Sequence, residues 1–240
     1  MEEAARALLP TQEIAASHRT LWLSKIDIPA YGKGEDLFNA ISHLAGVLFG
    51  VFALGWSLNA LLLAHSPIQA IAGMSVYCVS LITLYAVSGA YHLLQPGNAK
   101  RVMRVMDHCT IYLLIAGCYT PVTLIAFWGH PYAPAMLFAQ WAIAFVGILL
   151  NIINMTDIRV KVMSIVSYIV MGWMIIVIPF DQLLELGASW FPWILAGGIA
   201  YTLGIIFYGI GSKVRYMHCI WHIFVLVGSI LQFVGFVQMI

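Results

Sequence analysis

Charge is what this sequence has least of. Lys, Arg, Asp and Glu together make up 9% of its 240 residues, where an ordinary soluble domain carries about 25%. With 62% hydrophobic residues as well, the composition excludes a soluble globular protein and indicates an integral membrane protein. Ten-residue stretches alternating apolar and polar are also missing, which argues against a transmembrane β-barrel. The chain has 4 cysteines, Cys78, Cys109, Cys118 and Cys219, with no CxxC pair, so no secreted-type disulfide framework is implied. They read as small buried hydrophobes. The start, with Glu2 and Glu3, lacks the basic-then-apolar pattern of a signal peptide. A net charge of +1 gives no indication of a nucleic-acid partner.

What is present is a series of apolar runs, each close to the ~20 residues that cross a bilayer as a helix. They fall at roughly 38–64, 69–93, 108–127, 133–153, 160–180, 190–210 and 218–239. The expected fold is therefore all-α, with seven transmembrane helices. Residues 1–34 read as a loose cytoplasmic N-terminal arm and 35–240 as the membrane domain. Basic residues orient the chain. Arg6, Arg19, Lys25 and Lys33 precede the first span, and Lys100, Arg101 and Arg104 lie between spans two and three. Arg159 and Lys161 lie between spans four and five, and Lys213 and Arg215 between spans six and seven. The alternate connections contain none, so the positive-inside rule puts the N-terminus in the cytoplasm and the C-terminus outside. That orientation is opposite to G-protein-coupled receptors and retinal proteins, and the last span has no lysine for a retinal Schiff base.

This topology gathers the ionisable residues. His92 ends span two, Asp107 starts span three, and His218 and His222 lie in the first turns of span seven, all at the cytoplasmic side. Residues four apart share one helix face, so His218 and His222 can meet one ion. Three imidazoles suit Zn²⁺, with Fe, Ni and Cu also compatible. Three protein ligands leave the open fourth position of a catalytic zinc site. Zinc there would lower its water's pKa to about 7, with Asp107 orienting that water or accepting its proton. Ser88, one turn before His92, would support the site or touch the reacting oxygen. Taken singly, an HxxxH pair is an interfacial feature and Asp107 an N-cap; their convergence with a third histidine points to metal. His18, His65 and His130 read as solvated or interfacial, and His108 as lying beside Asp107 on a different helical face. Asp36, Asn39 and His43 form either a polar network beside the metal or an N-cap and interfacial cluster.

These motifs resemble the hemolysin III family, the bacterial branch of the progestin and adiponectin receptor superfamily. The resemblance is carried by residues 35–43 (EDLFNAISH), 88–92 (SGAYH), 106–121 (MDHCTIYLLIAGCYTP) and 218–222 (HCIWH), and covers roughly 35–240. One departure is Met106, where an aromatic residue is expected before the aspartate. The resemblance implies a zinc ion near the cytoplasmic face of a bacterial plasma (inner) membrane. His92, His218 and His222 would be its ligands, Asp107 would contact the zinc-bound water, and Ser88 would be the nearby hydroxyl. It also implies lipid-amide hydrolysis of ceramidase type, with a membrane lipid as substrate or ligand.

Three functions follow as expectations. The first is a zinc-dependent hydrolase of membrane lipid amides, with small residues such as Gly172, Gly198 and Gly204 packing helices closely or leaving room for an acyl chain. The second is a non-enzymatic sensor or regulator of membrane state, with zinc as a structural staple. The third, a pore-forming cytolysin, sits poorly with seven apolar spans and no secretion signal, which belong in the producer's own membrane.

Overall fold

The computed structural model describes residues 22–240, and among them there is helix but no strand. Residues 1–21, with most of the expected arm and His18, lie outside the described residues. The principal helices are α1 (Lys33–Leu63), α2 (Ile68–Leu93), α3 (Asn98–Pro121), α4 (Tyr132–Asn154), α5 (Ile158–Gly172), α6 (Phe180–Gly187), α7 (Phe191–Ile210) and α8 (Met217–Val237). Six helices among the described residues are long and apolar enough to cross a bilayer: α1, α2, α3 continued to Ala126, α4, α7 and α8.

The run expected as the fifth span is broken. α5 has 15 residues and stops where Trp173 leaves helical geometry (φ −103, ψ 10). A 3₁₀ turn, Met174–Val177, follows. Pro179 then holds Ile178 extended, at ψ 132, because the proline ring crowds a helical residue before it. The apolar composition continues across 160–180, but Trp173 and Pro179 divide the helix. Fifteen α-helical residues rise about 22 Å and four 3₁₀ residues about 8 Å, close to the ~30 Å hydrocarbon thickness.

α1 begins earlier than its apolar run. The Gly32 N–H donates to Glu35 Oε2 at 2.8 Å, which closes the first turn and brings Glu35 and Asp36 into the helix. The other oxygen of the buried Glu35 accepts the Tyr216 N–H at 2.6 Å. Tyr216 sits in the left-handed region (φ 63) immediately before α8. One carboxylate thus caps α1 and fixes the approach to α8. α5 is capped by Asp157, whose side chain accepts the Arg159 N–H at 2.8 Å.

α1 packs on α2 and α8, α2 on α3, α3 on α4, and α7 on α8. Aromatic rings occupy the space beside glycine at two crossings. A Cβ on Gly46 would lie 2.4 Å from the Tyr85 ring, and one on Gly147 2.2 Å from the Tyr112 ring. The outer faces carry exposed Leu44, Leu48, Phe52, Phe138 and Phe145, a surface suited to lipid rather than water. Deep in the bundle Tyr85 Oη and Tyr201 Oη lie 2.7 and 2.8 Å from Ser229 Oγ, while the Tyr77 hydroxyl donates to the Ser229 carbonyl at 3.2 Å.

Residues 22–26, ahead of α1, pack on the bundle. Leu23 and Ile26 are buried against Val105, Cys109 and Met155. Trp22 Nε1 donates to the Ile153 carbonyl (3.1 Å) and Arg101 Nε to the Ile26 carbonyl (3.2 Å). Every Lys and Arg from residue 22 onward lies at this end, where α1, α3, α5 and α8 begin.

Candidate metal centre

Chain termini of helices build the site. His92 belongs to the last turn of α2, and His218 and His222 to the first turns of α8. One ring nitrogen from each lies within 4.8 Å of the others, and all three side chains are buried. His218 Nε2 and His222 Nε2 are 3.0 Å apart. Zn–N bonds of 2.0–2.1 Å around a tetrahedron place ligand nitrogens about 3.3–3.4 Å apart, so small side-chain movements would complete a shell. The donor chemistry fits too. His92 Nε2 is buried with no hydrogen-bond partner among the described residues. Leaving such a group unpaired costs about 1–3 kcal/mol, and a metal ion would satisfy it.

The surroundings hold the histidines in place. Asp36 Oδ1 lies 2.8 Å from His92 Nδ1, and Lys100 Nζ lies 3.3 Å from Asp36 Oδ2. Tyr31, just before α1, stacks on His218 at 4.8 Å between ring centroids and tilts over His92 at 5.7 Å. Burial pushes the Tyr31 hydroxyl well above its ordinary pKa, so this ring stays neutral. His43 stacks on His222 at 3.8 Å, and both its ring nitrogens are buried without partners among the described residues.

A single cavity connects this cluster to the bundle interior. His43, Ser88, Asp107, His108, Tyr208, His218 and His222 line its polar end. Leu114, Ile115, Ile169, Ile194, Tyr201 and Val225 line the rest. On α8 the lining runs from His218 to Gln232, a rise of about 21 Å. Trp173 Nε1 donates to Thr202 Oγ1 at 3.1 Å, linking the end of α5 to α7 beside the cavity.

Of the expected site residues, His92, His218 and His222 come together as a ligand set, and Ser88 and Asp107 share a cavity with two of them. Asp107 Oδ2 lies 4.0 Å from His108 Nδ1. His108, on a different helical face from Asp107, nevertheless reaches the site. It lines the same cavity as Asp107, and its Nε2 lies 3.0 Å from the Tyr208 hydroxyl of α7. Its Nδ1 lies 2.9 Å from the Arg104 carbonyl, which only accepts; Nδ1 therefore carries the proton, and neutral His108 accepts from Tyr208. A 100° step does separate the two side chains, but the cavity is wide enough for both to reach it. Lys100, counted in the sequence only as a loop charge, is 2% exposed and paired with Asp36. No signal in the sequence distinguishes it from Arg101. Cys109 and Cys219 are buried, free and outside the metal cluster.

Fold and site together define a multi-helix membrane protein with a buried three-histidine centre that can bind a metal ion. A family profile described as "Haemolysin-III related" matches residues 31–233. The chain is 36% identical over 203 residues to Hemolysin-3 of Bacillus cereus, covering 83% of this chain and 89% of that protein. It is 34% identical over 199 residues to the Hemolysin-3 homolog of Bacillus subtilis, covering 83% and 91%. It is also 28% identical over 162 residues to the human Monocyte to macrophage differentiation factor, covering 62% and 63%. The chain belongs to the haemolysin-III-related family, and the human match links it to the progestin and adiponectin receptor superfamily.

Proposed function

We propose that this protein is a zinc-dependent hydrolase of membrane lipid amides, spanning a bacterial plasma membrane seven times. Its N-terminus is cytoplasmic, its C-terminus is outside, and residues 1–34 form a cytoplasmic segment. α5 with its 3₁₀ extension serves as the fifth crossing. The clustering of basic residues at the histidine end supports this orientation and, with it, a metal near the cytoplasmic face. The observation that carries the reading is one cavity, polar at the histidine end and lined mostly by apolar side chains along the rest of its length.

His92, His218 and His222 would hold the ion, all through neutral imidazole nitrogens. A zinc ion there supplies Lewis acidity and makes water more acidic. Asp107 orients the attacking water and accepts its proton. The Ser88 hydroxyl, one turn from His92, hydrogen-bonds the reacting oxygen. The apolar length takes the alkyl chain and keeps bulk water away from the reacting bond.

The test uses the pure protein, with and without chelator, against a panel of ceramide-like amides, together with elemental analysis. Near one zinc per chain and chelator-sensitive fatty-acid release are expected. Metal-loaded protein that binds the lipids yet releases nothing would refute hydrolysis.

A second reading, a non-enzymatic regulator of membrane state with structural zinc, is favoured by one observation. The ion would staple α2 to α8, and the Asp36–Lys100 pair ties α1 and α3 to the same histidine, His92. That reading expects Asp107→Asn to leave both stability and regulation intact.

A further inference from the structure

Among the described residues, only one of the three histidines has its remote nitrogen held by a carboxylate. Asp36 stands in the first turn of α1, where an acidic residue is favourable for the helix dipole. Its side chain nevertheless turns across to α2, with Oδ1 2.8 Å from His92 Nδ1. A carboxylate can only accept, so Nδ1 carries the proton and Nε2 keeps the lone pair. Asn39 Nδ2, itself a donor and 3.5 Å from Nδ1, is a neighbour rather than a competitor. Nε2 is the nitrogen left buried and without a partner among the described residues.

The carboxylate is in turn anchored. Lys100, at the start of α3, is 2% exposed, and lysines are almost never buried unless paired. Its Nζ lies 3.3 Å from Asp36 Oδ2 and 5.2 Å from the centroid of the Tyr91 ring. The cation holds the second carboxylate oxygen and leaves the first for the imidazole. At the other end of the cluster, His222 Nδ1 has no hydrogen-bond partner among the described residues. The ring of His222 is thus not oriented by a carboxylate as that of His92 is.

We propose that Asp36, braced by Lys100, is a positioning residue that sets the tautomer and direction of His92, making His92 the pre-oriented ligand on which the metal centre assembles. This rests on the reading of the three histidines as a metal site. Carboxylate partners of ligating histidines typically contribute 10–100-fold in metal affinity.

The experiment measures zinc affinity of the full chain by competition with a chromophoric chelator, thermal unfolding of the metal-free protein, and ¹⁵N NMR of the histidine rings. The variants are Asp36→Asn, Asp36→Ala and Asp36→Ala/Lys100→Met, the last leaving no unpaired buried charge. Expected are an Nδ1–H tautomer at His92 in the metal-free wild type and a 10–100-fold loss of affinity in Asp36→Ala. The double variant should lose as much while unfolding within a few degrees of wild type. Asp36→Asn, which keeps an acceptor of the same shape, should fall between. Unchanged zinc affinity in a folded double variant and in Asp36→Asn would overturn the proposal. Absence of zinc binding by the unaltered chain would instead overturn the metal reading, and the two failures are distinguishable.

Discussion

Two buried polar clusters, both involving α2 and α8, behave differently. In the first, Tyr85, Tyr201 and Ser229 converge, and the Ser229 hydroxyl also donates to the Val225 carbonyl at 2.9 Å. None of these hydroxyls is without a partner. In the second, His92 Nε2, both nitrogens of His43, His222 Nδ1 and Asn39 Oδ1 are buried without partners among the described residues. The two lie on the same helix pair, so the contrast does not come from location. A polar network that only holds helices together closes its hydrogen bonds, because each open one costs about 1–3 kcal/mol. In the second cluster the open atoms lie on and around the three histidines that could hold a metal ion.

The comparison can be broken experimentally, and the largest effect belongs to the ligands. His218→Ala/His222→Ala should reduce zinc from near one per chain to near none in elemental analysis, whereas Ser229→Ala should leave the zinc content unchanged. Next comes Asp107→Asn, expected to lower amide turnover by roughly 10²–10⁴-fold while metal content stays at the wild-type level. Retained turnover would move the protein to the regulator reading. Ser229→Ala should then cost about 1–3 kcal/mol of stability, because the Tyr85 and Tyr201 hydroxyls lose a shared partner. Denaturation in detergent micelles checks it.

The smallest effect concerns Tyr31. Burial raises its pKa, so its stabilisation is full below about pH 10, the unperturbed tyrosine value, and is lost as pH climbs beyond it. Tyr31→Phe should unfold like wild type at neutral pH and lose less stability than wild type above pH 10, as thermal melts across that range would show.

Much of the site was legible because its signals are local. The i, i+4 spacing of His218 and His222 is a helix property, and loop charges bring His92 to the same end before any packing is considered. The wider surroundings were not legible. Lys100 and Arg101 are adjacent basic residues in a short connection, yet Lys100 is buried against Asp36 and Arg101 reaches the Ile26 carbonyl. Which one turns inward depends on how α1 meets α3. That His108 shares a cavity with Asp107 was hidden for a similar reason: helical rotation fixes the angle between neighbours but not the width of the cavity they face. The broken fifth run shows the converse. Composition carries hydropathy smoothly through 160–180, while Trp173 and Pro179 interrupt the backbone within it.

Sequence alone determined the solvent of this protein, its helical class and the residues able to bind metal. Hydropathy, charge placement and imidazole chemistry are properties of residues and short segments. Tertiary structure decided which polar groups stay open and which are closed. It tied Asp36 to His92 and Lys100, left His92 Nε2 bare, and brought Tyr208 to His108. Hydrogen-bond partners 56, 64 and 100 residues apart are set by helix packing, which no local pattern encodes.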